Sequence, residues 1–109
     1  MNPRLFHITE RQAWEQAQGL YRCASLDQEG FIHLSTDQQV IGVANRFFSG
    51  KRDLVLLEIA RDRLQSPLCE DLVPGQGLFP HLYGPLNLDA VVRVWRLEPD
   101  GDGTFVRWQ

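Results

Sequence analysis

Apolar and polar positions alternate most clearly between residues 30 and 36, where the sequence is GFIHLST. In an extended chain successive side chains point to opposite faces, so Phe31, His33 and Ser35 are predicted to share one face. Ile32 and Leu34 are predicted to occupy the other. One face is therefore apolar, and the opposite face carries groups that can bind a ligand.

An amphipathic helix is predicted directly after this strand. Apolar residues recur every three or four positions from Val40 to Phe47, which is the spacing of one helix face. The helix is expected to cover residues 37–48, with Ser35 or Thr36 as its cap. Its first turn has free N–H groups that suit an anion.

Shorter patterns predict the remaining elements. In the N-terminal part we expect a strand over residues 4–8, an N-cap at Thr9, a helix over residues 10–18 and an irregular connection over residues 21–29. Further strands are predicted over residues 53–59, 68–72, 88–97 and 104–108, and the last two would form a hairpin closed by a turn at residues 100–103. Residues 53–59 are apolar on both faces, which is typical of an interior strand.

Residues 74–85 have a different texture. Three prolines and three glycines fall within this segment, and such a density predicts a rigid loop without regular structure. His81 and Tyr83 lie in it beside other apolar residues. Rigid loops that present aromatic and titratable groups are common binding elements.

Strands outnumber helices in these predictions, and paired strands fill the second half of the chain. This order favours an α+β fold over a doubly wound sheet. A length of 109 residues is enough for one hydrophobic core. We therefore predict a single domain over residues 1–109, with two helices and a bent, mostly antiparallel sheet.

Charge and cysteine content exclude several classes of protein. A net charge of −3 argues against bulk nucleic-acid binding through a basic face. Cys23 and Cys69 form no CxxC pattern, and no secretory signal is visible, so a reduced, cytoplasmic protein is expected. The longest apolar run, Leu54–Leu57, is far shorter than the ~20 residues of a membrane helix.

Three histidines carry the candidate chemistry. His7 and Thr9 form a His-x-hydroxyl pair, as do His33 and Ser35, and His81 lies in the predicted loop. One hypothesis is that all three histidines line a single cleft. The alternative is that His7 and His33 are partly buried strand residues bonded to backbone carbonyls. Their spacing matches no metal-binding signature, so no metal site is predicted.

Catalytic groups are harder to assign from the sequence. Ser35 lacks the Gly-x-Ser-x-Gly elbow, and neither cysteine has a recognisable partner. Glu58 is the one carboxylate to consider, with an arginine partner as its alternative role. The catalytic candidates are therefore His7, His33, Ser35 and Glu58.

Four segments resemble one bacterial family over nearly the whole chain: GFIHLST, ANRFF, DLVLLEI and FPHLYGPLNLDAV. The family is catalogued as domain of unknown function 952, and its fold is similar to that of ADP-ribosyltransferases. In this chain, residues 6–9 resemble the Tyr-His-Gly-Thr strand of RNA 2'-phosphotransferases, and residues 33–35 resemble the His-Leu-Ser motif of the same enzymes. Ile8 stands in place of the glycine, and the catalytic glutamate of the transferases has no clear counterpart.

This resemblance implies a pocket for a small, nucleotide-like ligand, with NAD as a candidate cofactor. Two hypotheses follow: an enzyme related to ADP-ribosyl or 2'-phosphoryl transfer, or a non-catalytic module that binds such a ligand in the same cleft. The ligand identity and the oligomeric state stay open. The candidate ligand-binding residues are His7, Thr9, Arg22, His33, Ser35, Thr36, Arg46, His81 and Tyr83.

Overall fold

The chain alternates short helices with antiparallel strands, and the computed structural model describes residues 4–109. Its elements are β1 (Leu5–Glu10), α1 (Arg11–Glu15), β2 (Leu20–Tyr21), α2 (Ala24–Glu29), β3 (Ile32–His33), α3 (Val40–Phe47), β4 (Leu54–Ile59), β5 (Leu68–Val73), β6 (Gly77–Leu82), β7 (Leu86–Asn87) and β8 (Val91–Leu97). Two single turns of 3-10 helix lie at Arg61–Arg63 and Leu88–Ala90. The α+β class is confirmed. Residues 4–109 contain three α-helices where two were predicted.

Three small sheets replace the one bent sheet that was predicted. Their strand orders are β1-β4-β8, β2-β7 and β3-β6-β5, and every pairing is antiparallel. A single bridge between Phe6 and Ser35 links β1 to the end of β3, with both backbone hydrogen bonds at 2.8 Å. The edge of the first sheet therefore adjoins the third sheet.

Strand β4 is the interior strand that its sequence predicts. Val55 and Leu57 face a core shared with Tyr21, Ile32 and Leu82, whereas Leu54 and Leu56 face a second core built on α3. Because alternate side chains enter different cores, no position on this strand can be polar without cost until Glu58, near its end.

The C-terminal segment returns along β8 but forms no strand, so the prediction of a strand over residues 104–108 is wrong. The turn is correctly placed, since Asp100 N–H donates to the Thr104 carbonyl at 2.8 Å. Phe105 is held by Asn45 of α3, whose amide exchanges hydrogen bonds of 2.9 and 2.7 Å with its backbone. This side chain replaces the strand partner.

Residues 77–82 form strand β6, so the prediction of a loop without regular structure over residues 74–85 is wrong there. Pro80 is tolerated in the middle of its sheet because its ring nitrogen faces β3, which has already ended at His33. The Pro80 carbonyl still accepts the Leu34 N–H at 3.0 Å. The pairing with β5 therefore loses no donor.

Helix boundaries differ from the predicted ones. Thr9 belongs to β1 and does not cap α1, which ends at Glu15. Residues 24–29, predicted to be irregular, form α2, which Gly30 ends with a left-handed φ of 90°. Helix α3 begins at Val40, so neither Ser35 nor Thr36 caps it. No helix within residues 4–109 has the length and apolarity needed to cross a membrane.

Candidate functional site

A cluster of five side chains occupies the outer side of the β3-β6-β5 sheet, and we call it the histidine face: Phe31, His33, Asp71, His81 and Tyr83. His33 and His81 are paired across β3 and β6. Alternation sends their neighbours Ile32 and Leu82 into the core, where both are fully buried. The sheet therefore has one face in the core and one that carries titratable groups.

His81 is oriented by a carboxylate. Its Nδ1 lies 2.8 Å from Asp71 Oδ2, and the Tyr83 hydroxyl donates to the same oxygen. These bonds, from Tyr83 first and His81 second, lower the pKa of Asp71, while the carboxylate raises the pKa of Tyr83 to about 12. Because an ionised carboxylate can only accept, Nδ1 of His81 carries a proton.

The other nitrogen of His81 is enclosed and unused. Nε2 is buried and has no hydrogen-bond partner within residues 4–109. The Phe31 ring stacks on the imidazole at 4.1 Å between centroids, and the His81 side chain is 5% exposed. An unpaired buried polar atom costs roughly 1–3 kcal/mol. A ligand that hydrogen-bonds to this nitrogen would remove that cost, so Nε2 is the strongest candidate binding atom of the histidine face.

His33 provides a second imidazole in a different environment. Its ring meets that of His81 edge-on, with centroids 5.1 Å apart. Its Nε2 lies 3.0 Å from Glu29 Oε2, and its side chain is 54% exposed. His33 therefore stands at the solvent side of the cluster, whereas His81 forms its floor.

His7 touches this cluster only through the backbone. Its Nδ1 lies 2.7 Å from the carbonyl oxygen of His33, and its ring is buried against Tyr21. Burial, more than the nearby charge of His33, lowers the pKa of His7 to about 4. The imidazole is therefore neutral at pH 7.

The hydrogen bonds around His7 form a continuous chain from the His33 carbonyl to Thr9. The Tyr21 hydroxyl lies 2.9 Å from both His7 Nε2 and Thr9 Oγ1. Since the His33 carbonyl only accepts, His7 Nδ1 donates to it and Nε2 must accept from Tyr21, which leaves the Thr9 hydroxyl to donate to Tyr21. Burial raises the pKa of Tyr21 to about 12. His7 and Thr9 are thus committed to internal bonds.

The other candidate residues are dispersed. Glu58 is on the first sheet, where its carboxylate meets Arg4 at 3.3 Å and accepts from Trp95 at 2.8 Å. Arg22 is exposed and pairs with Asp27. Ser35 is buried beside β1, and Thr36 donates its backbone N–H to the Gln39 side chain.

Arg46 lines a separate depression on the exposed side of α3. This depression has a volume of about 360 Å³ and is also lined by Phe79. Phe79 precedes His81 by two positions on β6, so the two side chains share a face about 6.5–7 Å apart. The depression therefore adjoins the histidine face.

Asp71, Phe31, Glu29 and Tyr21 were not among the candidate site residues predicted from the sequence. A signal for Asp71 was present, because Cys69 and Asp71 lie two positions apart and therefore share one face of the strand predicted over residues 68–72. Both residues approach His81 only because β5 pairs with β6. This pairing was not predicted, because residues 74–85 were expected to form a loop. Cys69 lies directly opposite His81, and its bond to Asp71 raises the pKa of the thiol.

Within the part of the chain that the structure describes, residues 4–109, no three His, Cys, Asp or Glu side chains are grouped so as to hold a metal ion. The histidine face can do two things chemically. It can bind an anion between two imidazoles, and His81 can exchange a proton at Nε2 while Asp71 holds Nδ1.

A testable consequence concerns the link between His7 and His33. Replacing His33 by Ala removes a charge that lowers the pKa of His7 but keeps the carbonyl that His7 bonds. We expect the pKa of His7, followed by its imidazole proton resonances in NMR, to rise above about 4. An unchanged pKa in a folded variant would show that the two rings do not interact.

Comparison with known proteins gives a match to one family and a likeness to solved structures of one bacterial protein. The sequence model of a family described as protein of unknown function (DUF952) matches residues 8–94. A crystal structure of protein CC0527 from Caulobacter crescentus is 35% identical, with 94% of this chain and 93% of that chain covered and a TM-score of 0.85. The solution NMR structure of CC0527 is 36% identical over 92% of this chain and 89% of that chain, with a TM-score of 0.78. No protein with a curated description matches this chain.

Proposed function

We propose, from the premise that this chain belongs to the DUF952 family of proteins of unknown function, that its histidine face binds a small phosphorylated ligand of the ribose-phosphate or nucleotide class. The observation that carries the proposal is the enclosed Nε2 of His81, which has no hydrogen-bond partner among residues 4–109 and lies beside the exposed ring of His33. The two rings are close enough for one phosphate group to contact both. Phe31 supplies an aromatic wall next to them.

The surroundings of the face support a ligand with both a phosphate and a ring. Arg46 and Phe79 line the neighbouring depression, where a guanidinium suits phosphate and a phenyl ring suits the flat face of a base. Gln39 fixes this wall, since its side-chain amide accepts from Thr36 N–H at 3.0 Å and donates to the Leu78 carbonyl at 2.8 Å. A preformed wall reduces the entropic cost of binding.

The sequence resemblance to RNA 2'-phosphotransferases also supports a ribose-phosphate ligand. In that resemblance four residues correspond to ones that hold NAD or the phosphorylated ribose: His7, Thr9, His33 and Ser35. NAD therefore belongs among the compounds to be tested. The ADP-ribosyltransferase-like fold is part of this proposal. His7 and Thr9 would then support the face from beneath, because their side chains bond each other through Tyr21.

The proposal predicts a thermal shift with the right ligand. Ribose 5-phosphate, AMP and NAD should be tested against the purified chain. A ligand present at about 100 times its Kd stabilises the folded state by about 2.7 kcal/mol, a rise in Tm of roughly 10 °C for a domain of this size. His33→Ala removes an exposed ring and should reduce the shift without altering the Tm of the free protein by more than a few degrees.

A matched control is Glu98→Gln, which changes an exposed side chain immediately after the end of β8. Its ligand-induced shift should equal that of the original chain. The proposal is wrong if none of the three phosphates raises the Tm at millimolar concentration. It is also wrong if His33→Ala leaves the shift intact.

A further inference from the structure

The two buried histidines of this chain differ in how completely their ring nitrogens are hydrogen-bonded. His7 has both ring nitrogens bonded within the protein, at 2.7 and 2.9 Å. His81 has only Nδ1 bonded, and its Nε2 is buried without a partner in residues 4–109. The fold can satisfy a structural histidine completely, so the free nitrogen of His81 indicates a role.

We propose that His81 is a general base that takes a proton from water during hydrolysis of a phosphodiester held on the histidine face. This inference rests on the proposed ligand class and adds a reaction to it. Asp71 fixes the proton of His81 on Nδ1, which presents the lone pair of Nε2. The same carboxylate stabilises the imidazolium that forms when Nε2 accepts a proton.

His33 is suited to the complementary step. Its Nε2 lies against Glu29, and the side-chain hydrogen bonds of residues 4–109 leave its Nδ1 unused. With Nε2 bonded to Glu29, the proton that a doubly protonated ring can pass to a leaving group is the one on Nδ1. Each of the two rings therefore has one nitrogen on a carboxylate and one available, with centroids 5.1 Å apart.

The step balances with these two groups alone. Water gives a proton to His81 Nε2 as its oxygen forms a bond to phosphorus. The bond between phosphorus and the leaving ester oxygen breaks, and that oxygen keeps the electron pair and receives the Nδ1 proton of His33. The products are a phosphomonoester and an alcohol. Exchange with solvent then returns both rings to their starting protonation.

Access to Nε2 of His81 requires the side chain of His33 to move, because Phe31 is held in place. Phe31 covers a face of the His81 ring and is itself packed against Tyr83 at 5.2 Å. His33 is 54% exposed and has the room to change rotamer. We expect the substrate to displace the His33 ring from the edge of His81. The displaced ring stays within reach of the leaving oxygen.

Adenosine 2',3'-cyclic phosphate is the sharpest probe, because both ribose oxygens are tied in the ring and only water can attack. The purified chain is expected to convert it to an adenosine monophosphate. His81→Gln can keep the bond to Asp71 but cannot accept the proton, and should lower kcat about 10²- to 10⁴-fold. Glu98→Gln should leave kcat unchanged.

Asp71 is a positioning residue, and its variant needs a separate readout. Asp71→Asn should lower kcat and move the acidic limb of the pH–rate profile, which reports the base. His33→Ala should remove the alkaline limb, which reports the acid. The groups that face these rings are Glu29, Cys69, Asp71 and Tyr83, and all are kept in the Glu98→Gln control.

Calorimetric binding of the cyclic nucleotide separates the two proposals. Binding that His81→Gln weakens, with no turnover by the original chain, overturns the hydrolysis and leaves the ligand site standing. Turnover that survives His81→Gln also overturns it. Absence of binding and of turnover overturns both. Should His81→Gln lose its cooperative melting, an unchanged pH profile in folded Asp71→Asn overturns the role of His81.

Discussion

Truncating Leu56 to Ala is expected to lower the free energy of unfolding by about 2–5 kcal/mol. The side chain is completely buried in the core that α3 and the C-terminal segment share with β4. Its loss removes apolar contacts and leaves a cavity between two layers that are fixed by hydrogen bonds, such as those of Asn45 with Phe105. Urea unfolding followed by circular dichroism measures the change.

Leu72→Ala provides the matched control, because the same atoms are removed from a side chain that is 71% exposed. It should change the free energy of unfolding by less than about 0.5 kcal/mol. A loss below that value for Leu56→Ala itself would contradict the interior position of β4. Equal losses for both leucines would do the same.

Acidification should destabilise the fold through His7 before most carboxylates titrate. Its pKa is lowered from 6.5 to about 4 by burial, so the unfolded chain binds a proton more readily than the folded one. The stabilisation is complete above pH 6.5 and is lost as the pH falls towards about 4. Between pH 7.5 and 5.0 this loss amounts to about 2 kcal/mol.

The measurement is a series of urea unfolding curves over that pH range, made on the original chain and on His7→Gln. Glutamine can still donate to the His33 carbonyl but does not titrate. The difference in stability between the two proteins should therefore shrink as the pH falls. Parallel stability curves would show that His7 is not neutral and buried as described. Tyr21→Phe, which removes one bond from the ring, should weaken the dependence without abolishing it.

Strand β4 and the two faces of β3 could be predicted from the sequence, because their signals are local. The uninterrupted apolar residues of β4 specify burial on both faces, and the alternation around His33 separates a core face from a chemical face. These features depend on nearest neighbours along the chain. Their prediction therefore does not require knowledge of which strands pair.

Strand β6 could not be predicted in the same way, because Pro80 and Gly77 argue against a strand in any local window. What permits the strand is the early end of β3, a property of a segment almost fifty residues earlier in the chain. Once β6 was missed, the approach of Asp71 to His81 was missed as well. Helix α2 was missed for a related reason. Leu26 is its one buried residue, so the helix has no repeating apolar face that a local pattern could show.

The order of strands in the first sheet also constrains how quickly the chain can fold. Strand β4 lies between β1 and β8, so neither edge strand has a partner until Leu54–Ile59 is available. Closing such long loops costs entropy before any pairing repays it, and folding on the order of milliseconds to seconds is expected. During synthesis β1 leaves the ribosome well ahead of β4, so its apolar residues Leu5, Phe6 and Ile8 stay without their partner strand in the interval.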